Sequence, residues 1–346
     1  MDFLDATVRP SGRSADSQGS QRSLRREPEE RVTDDSEIPD VNDLLALLGN
    51  ETRMSIVRSL WEGFDFEAYV TESRGGTPHS TLFEDADTDD KGNFNYHLRR
   101  LRDVLVADQG DGYILTPLGY NLISSIDRYE GFEYHTLEER VIKTPCPYCE
   151  GELAAEYRRE ILGVSCRDCD GLASGGNFTF IELSAVHNNQ LGMVGLLDAA
   201  TLLMFEKIRS SGHGICWDCR ATMQRTVERC ENHTRGPGGV CGACDNRYEV
   251  TVDAACSNCG ATGVGPLLEY AVLSPVVGAF FAKHDRDPAT VGPWRYRLAA
   301  FSAATETVLG SDPLMVRFAF ERNETVVQVT VEDRPTGIAI GTEPSD

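Results

Sequence analysis

Hydrophobic periodicity starts late in this chain. Residues 1–37 show none; they are polar, rich in Ser and Arg, and read as a disordered tail. From residue 38 the spacing becomes helical. In IPDVNDLLALL, Leu44, Leu45 and Leu48 share one face, with Asp40 placed as N-cap. After Gly49, ETRMSIVRSLWE continues the pattern through Ile56, Val57, Leu60 and Trp61. A Gly-rich connection at 63–77 ends in Thr77-Pro78, an N-cap followed by proline in the first turn, which predicts a short helix over 78–86. The next stripe is Phe94, Leu98, Leu101 and Leu105. At 100° per residue these fall within about 60° of one another and predict a helix over 92–105. VADQGDGYILT then predicts two short strands about a Gln109-Gly110-Asp111-Gly112 turn. Thr116-Pro117 opens a further helix with Leu118, Leu122, Ile123 and Ile126 on one side.

Beyond about residue 130 the pattern changes. Residues 131–145 link to a cysteine segment at 146–169, within a module spanning 131–190. Residues 191–215 form an apolar helical connection, and 216–265 a second cysteine-rich module. The C-terminal region, 266–346, reads as two helices, the strands LMVRFAF, TVVQVTV and GIAI, and a polar tail. The fold class is α+β. An N-terminal domain at 38–130 has the element order of a winged helix-turn-helix; small β-hairpin modules and mixed helices and strands follow it.

Charge sharpens this picture at one place. The chain carries 55 Asp+Glu against 33 Lys+Arg, a net charge of −22, and only four of the basic residues are lysine (Lys91, Lys143, Lys207, Lys283). Such a balance disfavours a broad polyanion-binding surface. It is similar to that of proteins from extremely halophilic archaea, where the Debye length falls to about 3 Å at 1 M ionic strength and self-repulsion is screened. Yet GNFNYHLRRLR, residues 92–102, contains no acid and three arginines. With the apolar stripe facing inward, Asn93, Asn95, Tyr96, Arg99, Arg100 and Arg102 are left to face solvent. Arg pairs with guanine, Asn with adenine, and either with phosphate oxygens. His97 lies at the edge of the buried stripe and reads as a packing or hydrogen-bonding histidine.

LLALLGNETRMSIVRSLWE, GNFNYHLRRL and DGYILTPLGYNLI, in this order and spacing, resemble the ArsR-like winged helix-turn-helix family, especially its archaeal regulators. The resemblance covers about 38–130. It implies a transcriptional regulator that binds double-stranded DNA, usually as a homodimer, with 92–104 as recognition helix and about 106–115 as wing. The remainder resembles zinc-bearing extensions on some halophilic archaeal regulators. One feature departs from the metal-sensing members: no cysteine precedes Cys146, and 78–91 offer only His79 and carboxylates. Arsenic or cadmium sensing on the usual helical site is therefore not implied.

The chain has eleven cysteines and no apolar signal segment at its start, so metal ligation is expected ahead of disulfides, in a cytoplasmic protein with no membrane span. Cys146, Cys149, Cys166 and Cys169 form two C-x-x-C pairs sixteen residues apart, the spacing of a zinc ribbon. Cys216, Cys219, Cys230, Cys241, Cys244, Cys256 and Cys259 are one ligand short of two tetrahedral sites; His233, in Cys230-Glu-Asn-His233, completes the set. Twelve ligands then hold about three structural Zn²⁺. Sequential pairing and a crossed brace are both open, His213 competes with His233, and a single second zinc with Cys230 left in the core is a further alternative. No P-loop, G-x-S-x-G, H-E-x-x-H or dinucleotide glycine motif is present, so no enzyme is expected. The expected function is a sequence-specific DNA-binding transcriptional regulator. The rivals are an adaptor that binds other proteins of the transcription machinery, and a thiol or zinc redox sensor.

Overall fold

The computed structural model describes residues 40–64, 76–127, 136–183, 191–284 and 286–342. The expected tail at 1–37 and most of the 63–77 connection lie outside the described residues. Two compact units divide between Ser125 and Ile126.

In the first unit, α1 (Val41–Leu48) and α2 (Glu51–Glu62) are each opened by a side-chain cap. Asp40 accepts from the Asp43 amide at 2.9 Å, and Asn50 from the Arg53 amide at 3.1 Å. The α1 stripe differs from expectation: Leu45 is 64% exposed, and Leu47 is buried beside the half-buried Leu44 and Leu48. Leu45 and Leu47 flank the Leu44–Leu48 line symmetrically, so periodicity could not choose between them. The choice goes with α2, whose Arg53 donates to the carbonyls of Ala46 (2.6 Å) and Leu47.

Helix α3 (His79–Asp85) starts without a side-chain cap. Thr77, expected to be that cap, instead forms an antiparallel bridge with Tyr113, each amide donating to the other's carbonyl at 2.9 Å. Proline favours extended backbone before it, and here that backbone finds a strand to pair with.

Helix α4 (Lys91–Leu101) is capped by Asp90, whose carboxylate accepts from the amides of Gly92 and Asn93. It ends at Leu101, earlier than the expected 104 or 105, because Arg102 is extended and Asp103 takes φ 65°. The turn still delivers Leu105 and Val106 into the core with Phe94, Leu98 and Leu101. The hairpin β1 (Val106–Asp108) and β2 (Tyr113–Leu115) follows as expected. Thr116 then caps α5 (Pro117–Asp127) through the Gly119 amide at 3.0 Å. Ile123 is the buried member of the α5 stripe.

Gly119 is required by close approach: a Cβ there would lie 2.2 Å from the Leu105 carbonyl oxygen. Neither backbone can yield without moving α5 off the core. Gly119→Ala is expected to cost about 3 kcal/mol, the upper end of ordinary overpacking, in chemical denaturation of this unit.

Among its described residues the second unit holds three antiparallel sheets. The first has order β3-β4-β5-β6, from β3 (Leu137–Pro145), β4 (Glu152–Arg158), β5 (Ile161–Cys166) and β6 (Asn177–Glu182). The expected link at 131–145 is thus largely the edge strand β3. Helix α6 (Met193–Gly212) lays Leu196, Leu197 and Ala200 into the core of this sheet. The second sheet is β7 (Gln224–Arg229), β8 (Val250–Ala255) and β9 (Thr262–Pro266). The C-terminal part has α7 (Leu268–Val272), α8 (Pro275–Ala282), α9 (Pro288–Val291) and α10 (Pro293–Ala303), two more helices than expected. They pack on the meander β10 (Ala304–Ser311), β11 (Leu314–Arg322), β12 (Thr325–Arg334) and β13 (Gly337–Thr342). Val250 and Val252 of β8 enter the same core as Phe318 and Phe320 of β11 and Val329 and Val331 of β12. A buried Glu269–Arg297 ion pair joins α7 to α10, with the guanidinium over Phe178 and Phe301. Among the described residues, no helix is long and apolar enough to cross a membrane.

Candidate metal centres and the basic helix

Four of the five C-x-x-C turns share a local logic. At Cys146, Cys216, Cys241 and Cys256, the carbonyl accepts from the amide four residues on, at 2.8–3.1 Å. The same cysteine's amide donates to the carbonyl five residues on, at 2.8–2.9 Å. The residue after the second cysteine closes each of these turns in left-handed backbone: Glu150 (φ 61°), Arg220 (65°), Asp245 (58°) and Gly260 (78°). Three of the four are not glycine. The Cys166–Cys169 turn differs, with the left-handed position at Gly171 and the Cys166 amide bonded to Gly176.

These turns bring twelve donor atoms into three tetrads, each with all its atoms within 4.8 Å of one another. The first is Cys146, Cys149, Cys166 and Cys169, set where β3 and β5 end and β4 begins. Its sulfur pairs Cys146–Cys169 and Cys149–Cys166 stand 3.8 and 3.5 Å apart. The other two are Cys216, Cys219, Cys256 and Cys259, and Cys230, His233, Cys241 and Cys244. Every ligand expected from the sequence is in a tetrad. His213 caps the C-terminus of α6 and belongs to none of them.

The pairing is neither sequential nor crossed; it is nested. Strands β7 and β8 run antiparallel, Gln224 opposite Ala255 and Arg229 opposite Val250. Cys216, Cys219, Cys256 and Cys259 therefore meet at the base of the hairpin, and Cys230, His233, Cys241 and Cys244 at its tip. The signal lay in the gaps: ten and eleven residues between outer and inner pairs are equal strand-length arms, and the seven between the inner pairs a tip.

The sulfur spacings suit a metal. Disulfide sulfurs lie about 2.0 Å apart. A tetrahedron with metal–sulfur bonds of about 2.3 Å has edges of about 3.8 Å. The base sulfurs Cys216–Cys259 and Cys219–Cys256 are each 3.6 Å apart, and Cys244 Sγ is 3.5 Å from His233 Nδ1. His233 Nε2 faces the Arg247 carbonyl at 3.2 Å, a bond that fixes the orientation of a ligating imidazole. Amides of Thr234, Ala243 and Cys244 hold the Cys241 thiol down to about 7, and Asn258 with the Ala221 amide holds Cys219 at about 6. Burial pushes Cys169 the other way. The tetrads are compatible with about three structural zinc ions. Four protein donors each leave no position for a reacting water.

On α4, Asn93, Tyr96, Arg99 and Arg100 are exposed. Arg99 Nε bonds the Asn95 carbonyl at 3.3 Å and Arg100 Nη1 the Tyr96 hydroxyl at 3.4 Å. Among the described residues, neither arginine has a carboxylate partner. The other two expected residues are engaged elsewhere. Asn95 Oδ1 is 2.8 Å from His79 Nε2, and Arg102, past the helix end, pairs with Asp108 of β1 at 3.4 Å. His97 is buried, with Nδ1 3.1 Å from Arg53 Nη1. Arg53 thereby ties α1 and α2 to α4, a link with no periodic signature.

Burial, then the charges of Arg53 and Arg100, lower the pKa of His97 below its ordinary 6.5. The folded value lies below the unfolded one. The neutral ring's stabilisation is thus present above pH 6.5 and is lost as pH falls through the folded value. Hydrogen-exchange protection of α4 is expected to fall on acidification below 6.5, and His97→Gln to flatten that dependence.

A family model described as Domain of unknown function (DUF7351) matches residues 143–336, and a second, Domain of unknown function (DUF7347), matches residues 41–126. No curated protein and no solved structure matches the chain.

Proposed function

Because the chain belongs to the DUF7351 family, a domain of unknown function, we propose from its own residues that it is a sequence-specific DNA-binding transcriptional regulator with three structural zinc sites. One observation carries this: in a chain of net charge −22, α4 buries its apolar face completely and presents Arg99 and Arg100 without carboxylate partners. The order α1–α4, hairpin, α5 supports a winged helix-turn-helix, with α4 as recognition helix and the 106–115 hairpin as wing. The N-terminal part of α4, with Asn93 and Tyr96, enters the major groove, and the two arginines reach guanine edges or phosphates. In molar salt counterion release drives little binding, so affinity depends on direct base contacts. The zinc tetrads replace apolar core in the second unit, which serves dimerisation, partner contact or signal input.

Selection of duplexes from a random pool by the zinc-loaded protein in molar KCl tests this. An enriched motif is the expected result. No enrichment from a folded protein carrying three zinc ions would sink the regulator and favour the protein-interaction adaptor.

A further inference from the structure

We propose that Arg247 couples the first tetrad to the tip tetrad, so that these two gain and lose metal as a pair while the base tetrad acts alone. This rests on the zinc assignment above.

Arg247 is 8% exposed. Its guanidinium donates to the carbonyls of Gly171 (2.5 Å) and Gly238 (3.3 Å), lies 3.9 Å from Cys169 Sγ, and stacks 3.9 Å over the Tyr148 ring. Among the described residues no carboxylate pairs with it. Guanidinium stays protonated in proteins, and a buried cation without counter-charge is expensive. A source of negative charge lies beside it at Cys169: four thiolates around a divalent ion carry a net charge of −2.

The same residue is built into the tip tetrad. Its carbonyl receives His233 Nε2, and its amide donates to Leu172, in the loop that follows Cys169. The 236–240 turn, between His233 and Cys241, wraps the guanidinium so closely that a Cβ on Gly239 (φ 95°) would sit 2.2 Å from Nη2. Asp170 donates to Gly238, and Ala173 bridges Asn246. The two tetrads thus share a wall, with one buried cation in it.

Coupling follows in both directions. When the first tetrad loses its ion, it no longer holds Cys169 and Gly171 in place around the guanidinium, and the loop that positions His233 is destabilised. When the tip tetrad empties, that loop no longer holds the cation against Cys169. Linkage makes the two effects equal. The base tetrad sits at the other end of six-residue strands, about 20 Å away.

The test is a graded chelator challenge of the zinc-loaded full chain. Freed thiols are alkylated and mapped by peptide mass spectrometry, with zinc per chain counted alongside. In the wild type, cysteines of the first and tip tetrads are expected to become reactive at one chelator concentration, and those of the base tetrad at another. In Arg247→Met the first and tip midpoints are expected to separate at least fivefold, the lower end of typical coupling. Arg247→Lys, which keeps the charge and loses the fork, is expected to fall between. First and tip midpoints that already differ in the wild type and do not move in Arg247→Met would overturn the coupling. So would a lysine variant identical to the methionine one, since packing alone would then be the cause. Should Arg247→Met fail to fold, Arg247→Lys against wild type makes the same comparison with a smaller split. A wild-type chain that holds no zinc would overturn the zinc assignment and the coupling together.

Discussion

Stripping metal from the full chain is expected to abolish the cooperative unfolding transition of the second unit. The β7–β9 sheet has little core of its own. Its cluster of buried residues is Cys216, Met223, Ala254 and Cys256, and two of those four are ligands. Structural zinc contributes roughly 10–16 kcal/mol in small zinc-finger peptides, as much as the whole stability of a typical domain. The damage does not stay local, because β8 also carries Val250 and Val252 into the core shared with β11 and β12. Near-ultraviolet circular dichroism and zinc stoichiometry, followed together through a chelator titration, check this. Cys256→Ser should reproduce part of the loss. A metal-free chain that kept its near-ultraviolet signal and its melting transition would show that the tetrads are incidental to the fold.

The second large effect belongs to α4. Arg99→Ala with Arg100→Ala is expected to weaken binding to the selected duplex by about 10²–10⁴-fold, from about 1–3 kcal/mol per good bidentate base contact. Zinc content and melting temperature should not change, since both side chains are exposed and neither holds another element in place. The salt dependence separates the two kinds of contact. If the arginines hold phosphates, the slope of log K against log salt falls by about 1.8 and sequence preference is kept. If they read bases, preference relaxes at particular positions. Unchanged affinity would remove α4 from the interface.

What the sequence showed and what it hid divide along physical lines. Asp40, Thr116 and the Gln109–Gly112 turn act within a few residues of themselves, so local chemistry was enough to place them. The Phe94–Leu98–Leu101–Leu105 stripe held because its burial has one solution. The twelve ligands were legible because thiolate chemistry needs even sets of four. Leu45, Thr77 and Arg102 were misplaced because their outcomes depend on what comes to lie beside them: α2, the 113–115 strand and Asp108. Strands β3 and β10 alternate too weakly to announce themselves, and their partners are chosen in three dimensions. The Glu269–Arg297 pair and Arg247 are invisible one residue at a time, since a buried charge is made tolerable only by distant groups.

The nested tetrads also set an order of events for the folding chain. Closing the tip joins Cys230-His233 to Cys241-Cys244 across seven residues, whereas the base must close over the thirty-six residues 220–255. Loop entropy favours the short closure first. Once the tip is shut and β7 and β8 have zipped, the cysteines of the base are already neighbours, and a long-range search becomes a local one. Nested ligation lowers the effective contact order of this segment, which a sequential arrangement of the same eight ligands would do differently and a crossed brace would not do at all.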